Sequence, residues 1–193
     1  MYELLGAYSQ QISPEYPVDF AVIEPLLQLK DVEKGAYLFH EGSICDAVGL
    51  TQKGCLRSFF LKEGKELTLF FHQEQQTLGD YESLKRQKPA CFSCQAVEDS
   101  TVLLINSQAI EEIGRLPNGQ RLLRLVIEEL AFQLRDRLLS LYRDTSEQRY
   151  LNLIDHQPQL LRRIPQYYVA SYLGIEPESL SRLKRRVHKR RFS

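Results

Sequence analysis

The stretch Ile164-Pro-Gln-Tyr-Tyr-Val-Ala-Ser-Tyr-Leu-Gly-Ile-Glu-Pro-Glu-Ser-Leu-Ser-Arg-Leu-Lys-Arg-Arg186 decides how the chain is read. With Gln166 as the first position of a helix–turn–helix, Ala170 falls where the two helices approach most closely and only a small side chain fits. Gly174 falls at the tight turn, where a left-handed backbone is needed. Val169, Leu173, Ile175, Leu180 and Leu183 fall at the inward positions that lock the helices together. Pro177 opens the second helix, its fixed φ suited to the first helical position.

On that second helix Leu180, Leu183 and Val187 face inward, while Glu178, Arg182, Arg185 and Lys189 share the outward face. In such motifs the outward N-terminal residues of the second helix reach base edges in the major groove of DNA. Arg182 suits a guanine O6/N7 edge, and Glu178 can accept from a cytosine amino group. Ser179 can reach a base or a phosphate. An acidic residue on a basic DNA-facing surface repels phosphate, so its presence points to base reading. Lys184, Arg185, Arg186, Lys189, Arg190 and Arg191 are placed for phosphates, which give affinity rather than sequence choice. The plainer alternative is a basic helical hairpin that docks on another protein.

The charge distribution agrees with a polyanion-binding end. The 193 residues carry 25 Lys+Arg and 25 Asp+Glu, a net charge of zero. From Arg162 onward, however, nine basic residues face two acidic ones, a net of +7, which leaves −7 on Met1–Leu161. A composition 43% hydrophobic and 26% charged excludes a wholly disordered chain. No apolar run reaches the roughly 18 residues of a membrane-spanning helix. Met1-Tyr-Glu-Leu-Leu-Gly lacks a basic region followed by an apolar stretch, so a cytoplasmic protein is expected.

Working back from the helix–turn–helix, residues from about Asn118 to Arg143 give the longest helical signal, with Asn118 as its expected N-cap. Leu123, Ile127, Leu130, Leu134 and Leu141 form one stripe, and Leu125, Phe132 and Leu139 form a second that repeats every seven residues. A helix with two narrow apolar seams has two surfaces to cover, one on its own chain and one on a second copy. A homodimer through residues 118–144 is therefore expected. Between Val32 and Ile105, short apolar runs (AYLF, AVGLT, CLRSFFL, LTLFF, TVLLI) are separated by turns such as Glu41-Gly42, Lys53-Gly54 and Glu63-Gly64. This pattern predicts an antiparallel barrel or sandwich, with a hairpin at 62–65. Residues 1 to about 30 read as helical from Phe20, Ile23, Leu26 and Leu27. After Arg143, Thr145-Ser146, Pro165 and Pro177 each begin a short helix. The fold class is α+β: a β-domain over 1–117, a dimerisation helix over 118–144 and a helix–turn–helix domain over 145–193.

Cys91-Phe-Ser-Cys94 has CxxC spacing, but it sits in a stretch that reads as strand, with the two cysteines on opposite faces. No second CxxC or paired histidine completes a zinc site, so no metal is expected and the cysteines read as packing residues. His40, His72, His156 and His188 are scattered. No nucleophile, base and orienting group assemble from them, and no catalytic residue or enzymatic activity is expected.

The order of strand domain, long helix and C-terminal helix–turn–helix resembles the cyclic-AMP receptor protein/fumarate–nitrate regulator (CRP/FNR) family of bacterial transcription factors. Lys34-Gly-Ala-Tyr-Leu-Phe-His-Glu-Gly42 and Gly54 resemble the start of that family's cyclic-nucleotide-binding β-roll, a jelly roll. Leu78-Gly79-Asp80 resembles the opening of its phosphate-binding cassette, and Glu178, Ser179 and Arg182 match its base-reading residues. The resemblance implies a double-stranded DNA partner with a pseudo-palindromic operator, RNA polymerase as a further contact, and a ligand pocket that includes Gly79, Asp80, Ala90 and Cys91.

Two departures qualify it. Cyclic-nucleotide-binding members close the cassette with Arg-Ser-Ala, whose Arg pairs with the cyclic phosphate; here Ala90 stands at that Arg. A buried phosphate without a cationic partner lacks its strongest bonds, and Asp80 in place of Glu shortens the ribose contact. Cyclic AMP is therefore not expected as a ligand, and no cofactor is assigned; another small effector uses the cavity, or none does. The family also follows its recognition helix with a β-hairpin wing, whereas this sequence ends in His-Lys-Arg-Arg-Phe-Ser193, a cluster expected to supply phosphate contacts. The rival reading is a small-molecule sensor that acts through protein–protein contacts, with its basic end as the docking surface.

Overall fold

A computed structural model describes the backbone of residues 2–192 and the side chains of residues 3–190. A first helix, α1 (Tyr2–Ile12), and a short 3-10 turn (Ala21–Leu26) precede eight strands. These are β1 (Leu27–Val32), β2 (Tyr37–Phe39), β3 (Ala47–Lys53), β4 (Leu56–Lys62), β5 (Lys65–His72), β6 (Thr77–Leu78), β7 (Ser93–Ala96) and β8 (Ser100–Asn106). Helix α2 (Tyr81–Arg86) lies between β6 and β7, and α3 (Ser107–Arg115) follows β8. Then come α4 (Gly119–Arg143), α5 (Ser146–His156), α6 (Pro158–Arg163), α7 (Gln166–Leu173) and α8 (Pro177–Phe192).

The strands form two antiparallel four-stranded sheets, ordered β1-β8-β3-β6 and β2-β7-β4-β5. Period-two alternation explains the layering. Leu56, Leu78, Cys94, Ala96 and Val102 point between the sheets. Leu50, Leu103 and Ile105 point out of the first sheet onto α1, α3 and the start of α4. The β4–β5 hairpin pairs Lys62 with Lys65, and Glu63 and Gly64 both take positive φ (53° and 77°), the two-residue turn whose twist matches the strands. Gly54, at φ 94°, crosses directly over β8. A Cβ there would stand 2.7 Å from Ser100 Cα and 2.8 Å from Asp99 O. Gly54→Ala is therefore expected to cost at least about 2 kcal/mol, from the left-handed backbone plus the clash. Urea unfolding checks this, and an unchanged midpoint contradicts it.

Three local expectations are corrected. The apolar spacing of Phe20–Leu27 does not make a helix. Pro25 limits the segment to a 3-10 turn, and Leu27 already pairs with Ile105 in the sheet. Asn118 does stand at the N-cap position of α4, but in the left-handed region at φ 63° and without a side-chain capping bond; its amide instead donates to Pro17 O. The 91–105 stretch is not one strand, since Cys91 precedes β7 and residues 97–99 turn the chain into β8. Helix α6 is opened by Pro158 at its first position. Thr145 does begin α5, through a reciprocal capping box with Gln148.

No helix among the described residues is long and apolar enough to cross a membrane. Among the described residues, apolar cover of α4 by its own chain is concentrated in its first third, through Leu122, Leu123 and Val126, and further along Arg137 is buried. Beyond it both predicted stripes lie open: Ile127, Leu134 and Leu141 on one, Phe132 and Leu139 on the other, with Phe132 at 51% and Leu139 at 46% exposure.

Candidate nucleic-acid interface

Helices α7 and α8 form the helix–turn–helix. Ala170 is 1% exposed where they meet, and Val169, Leu173, Leu180, Leu183 and Val187 are buried with Tyr150 and Leu153 of α5 and Leu160 of α6. Gly174 ends α7 at φ 69°, and Ile175 N donates back to Ala170 O at 3.1 Å. No heavy atom would crowd a side chain at Gly174, so backbone conformation alone selects glycine there.

The outward face of α8 carries the predicted reading residues into solvent. Glu178 and Arg182 are exposed, and Arg182 Nη2 donates to Ser179 Oγ at 3.2 Å. Of the predicted phosphate contacts, Arg185 and Lys189 are exposed on the same face. Lys184 donates to Gln166 at 2.8 Å. Arg186 and Arg190 both pair with Glu147, at 2.8 and 2.6 Å, and tie α8 to the first turn of α5. The Arg191 side chain lies outside the described side chains.

The helix–turn–helix also docks on the β2-β7-β4-β5 sheet through polar groups that the sequence reading did not single out. Arg57 of β4 is 1% exposed, with its guanidinium 3.9 Å from the Phe59 ring and 3.6 Å from the Tyr168 ring of α7. It donates to Glu66 at 2.5 Å and to Gln95 at 2.7 Å. Ser171 Oγ accepts from Thr68 N at 2.9 Å and donates to Glu66 O at 2.7 Å. Arg137 of α4, 8% exposed, lies on Tyr172 and donates to Thr68 O and Tyr172 O, at 3.0 and 2.8 Å. It thus joins long helix, β5 and α7 in one place. Lys65 pairs with Glu176 just before α8.

Arg163 of α6 completes the junction, gripping Glu74 in a fork at 2.9 and 2.7 Å and reaching Glu98 at 3.0 Å. Its guanidinium holds the Glu74 carboxyl down at about 2. A depressed carboxylate stabilises above its unfolded value and loses that contribution as pH falls through the folded one. The latch is therefore full near neutrality and weakens on acidification below about 4.5 toward 2. Because the pair is part-exposed, Arg163→Ala is expected to weaken docking by only about 1 kcal/mol. Faster amide exchange in both β5 and α7 reads this, and unchanged exchange contradicts it.

The cassette region is closed upon itself. Asp80 caps α2, its Oδ1 accepting from Ser83 N at 3.0 Å, while Oδ2 accepts from Cys91 N at 3.2 Å. Ala90 is buried and exchanges backbone bonds with Gly42 and Ser43. At Gly79 a Cβ would stand 3.0 Å from Val48 Cα. A cavity of about 250 Å³ opens beside Leu38, Ile44, Cys45 and Leu104, and one of about 410 Å³ beside Tyr37, His40, Phe59 and Glu66. Neither is lined by Gly79, Asp80, Ala90 or Cys91. Cys91 is exposed and Cys94 lies between the sheets. Burial pushes both thiols up, with Asp80 adding to the effect at Cys91. His72 hydrogen-bonds Ser58 and Thr77 O.

Residues 29–115 match the cyclic nucleotide-binding domain family. The chain is similar to the anaerobic regulatory protein of Bacillus subtilis (strain 168), 29% identical over 94 residues. That match covers 48% of this chain and 40% of the relative, well under two thirds of its length. Among solved structures, FixK2 from Bradyrhizobium japonicum aligns with a TM-score of 0.70 at 19% identity, covering 85% of each chain. The catabolite activator protein of Thermus thermophilus aligns at 0.54 and 22% identity, over 86% of this chain and 80% of that one. The family match is confined to residues 29–115, and the β-roll, long helix and helix–turn–helix together give the chain the CRP/FNR fold.

Proposed function

We propose that the protein is a homodimeric, sequence-specific DNA-binding transcription regulator that does not respond to cyclic AMP. The observation that carries this reading is the outward face of α8, where Glu178, Ser179 and Arg182 stand on a helix whose other face is fully packed. Glu178, Ser179 and Arg182 read base edges. Lys184, Arg185, Arg186, Lys189, Arg190 and Arg191 hold phosphates, with Arg186 and Arg190 leaving Glu147 to do so. The three parts act as β-roll sensor (1–117), dimer helix (118–144) and DNA-binding domain (145–193). The open stripes of α4 supply the dimer seam. Two such units about a two-fold axis suit a pseudo-palindrome with half-sites about one helical turn apart.

Insensitivity to cyclic AMP rests on Ala90 and Asp80. No guanidinium stands at position 90, and the Asp80 carboxylate is committed to Ser83 and Cys91. The regulator role also leaves no place for an enzymatic one.

Fluorescence anisotropy on mixed-sequence duplex tests the electrostatic half. Affinity should fall steeply with salt, with a logarithmic slope of about 0.9 per phosphate contact neutralised. Salt-independent binding, or none at low salt, overturns the reading. Calorimetric titration with cyclic AMP should give no saturable heat; a saturable isotherm overturns the ligand half.

A further inference from the structure

The outer face of the β2-β7-β4-β5 sheet carries a groove that the regulator reading leaves unused, and we infer that it binds a small flat organic cation. The groove has a volume of about 410 Å³ and is not lined by Gly79, Asp80, Ala90 or Cys91. Its walls are aromatic. Tyr37 stacks on His40 at 4.0 Å, and the Phe59 ring stands 6.1 Å from Tyr37. Leu61 adds an exposed apolar rim, and Glu41 and Glu66 supply two carboxylates. The loop bearing Glu41 is fixed, because Glu41 N donates to Ser93 Oγ at 2.9 Å.

Ring faces and carboxylates attract the same class of ligand, a cation with a planar body. The protein already makes this arrangement once. Arg57 lies between the Phe59 and Tyr168 rings with Glu66 at its edge. The groove repeats part of that set beside it: Glu66 again, with Glu41 and the stacked Tyr37 and His40 rings around it, while Phe59, 3% exposed, is already covered by Arg57. An anion meets two carboxylates here, so the chemistry is the opposite of a cyclic nucleotide's.

Occupancy reaches the helix–turn–helix by a short route. A cation at Glu66 competes with Arg57 for the same carboxylate, and Arg57 is what Tyr168 packs upon. Gln95 couples to both, accepting from Arg57 and from Tyr168 Oη at 3.3 Å. This effect on docking rests on the regulator reading, but binding itself is measured without DNA, so the two can fail separately.

The test is a nuclear magnetic resonance titration of the full chain with benzamidinium, its neutral isostere benzamide and the anion benzoate. Benzamidinium should bind saturably at millimolar concentration, and the other two about tenfold more weakly or less. Glu41→Gln, an exposed change that leaves the core untouched, should weaken benzamidinium several-fold and leave benzamide unchanged. Signals of the Gln95 amide and Tyr168 should follow the same curve. Equal binding of all three probes, no saturation by benzamidinium, or indifference to Glu41→Gln overturns the site. Saturation without movement at Tyr168 overturns the link to the helix–turn–helix.

Discussion

Arg182→Ala lowers affinity for the protein's own operator by about 1–3 kcal/mol, roughly five- to 150-fold, while binding to unrelated DNA changes little. The asymmetry follows from position. Arg182 projects from the second turn of α8, and among the described residues its side chain bonds to Ser179 Oγ. In the groove that bond can be exchanged for a bidentate pair to guanine, which an alanine cannot make. Arg185 and Lys189, one turn and two turns further on, keep their phosphate contacts in the variant, so the salt slope should persist. The side chain is exposed, so the variant folds. Equal operator affinity in wild type and Arg182→Ala removes the base-reading assignment. A parallel loss on all sequences makes Arg182 a phosphate contact instead.

Phe132→Glu combined with Leu139→Glu converts the protein to a monomer and lowers operator affinity by orders of magnitude. Both side chains stand open on α4, at 51% and 46%, one heptad apart. In a helix pair they become seam residues, where a carboxylate is stripped of water without a partner at a cost of several kcal/mol. Because they touch little in the single chain, the protomer keeps its fold and the first third of α4 remains anchored by Leu122. Each half-site then binds alone and the avidity of two linked reading heads is lost. Sedimentation equilibrium reads the mass. A dimer that survives the double substitution places the two-fold contact elsewhere.

The helix–turn–helix was legible in the sequence because its constraints are local and steric: Ala170 and Gly174 sit at fixed offsets from an apolar frame, and both serve as expected. The strands were legible from runs bounded by Gly42, Gly54 and Gly64, where the chain does turn. Phe20–Leu27 misled because a period of three to four over one turn does not distinguish a 3-10 segment followed by a strand from a helix. The junction was not legible for a different reason. Arg57, Arg137 and Arg163 act across 9 to 89 residues of sequence, and such pairings leave no periodic trace. A weak signal did exist for two of them. Arg57 interrupts an apolar strand run, and Arg137 takes a place in the stripe between Leu134 and Leu141 where a leucine would be expected. A charge inside an apolar pattern marks a buried contact with a distant element.

The docked arrangement gives these residues a common consequence. The β-roll holds the helix–turn–helix through an apolar contact of Cys55, Phe71 and Val97 with the helical core, ringed by ion pairs and stacked guanidiniums, and the polar ring responds to charge, salt and small cations. Glu178, Arg182, Arg185 and Lys189 on the outward face of α8 remain in solvent, so the junction does not cover that face.

Selection of bound duplexes from a random pool by the full chain, repeated with and without cyclic AMP, tests the central claim most directly. The account predicts one pseudo-palindromic consensus, with half-site centres about one helical turn apart, recovered equally under both conditions. Failure to enrich any sequence, or a consensus that emerges only with cyclic AMP, contradicts it.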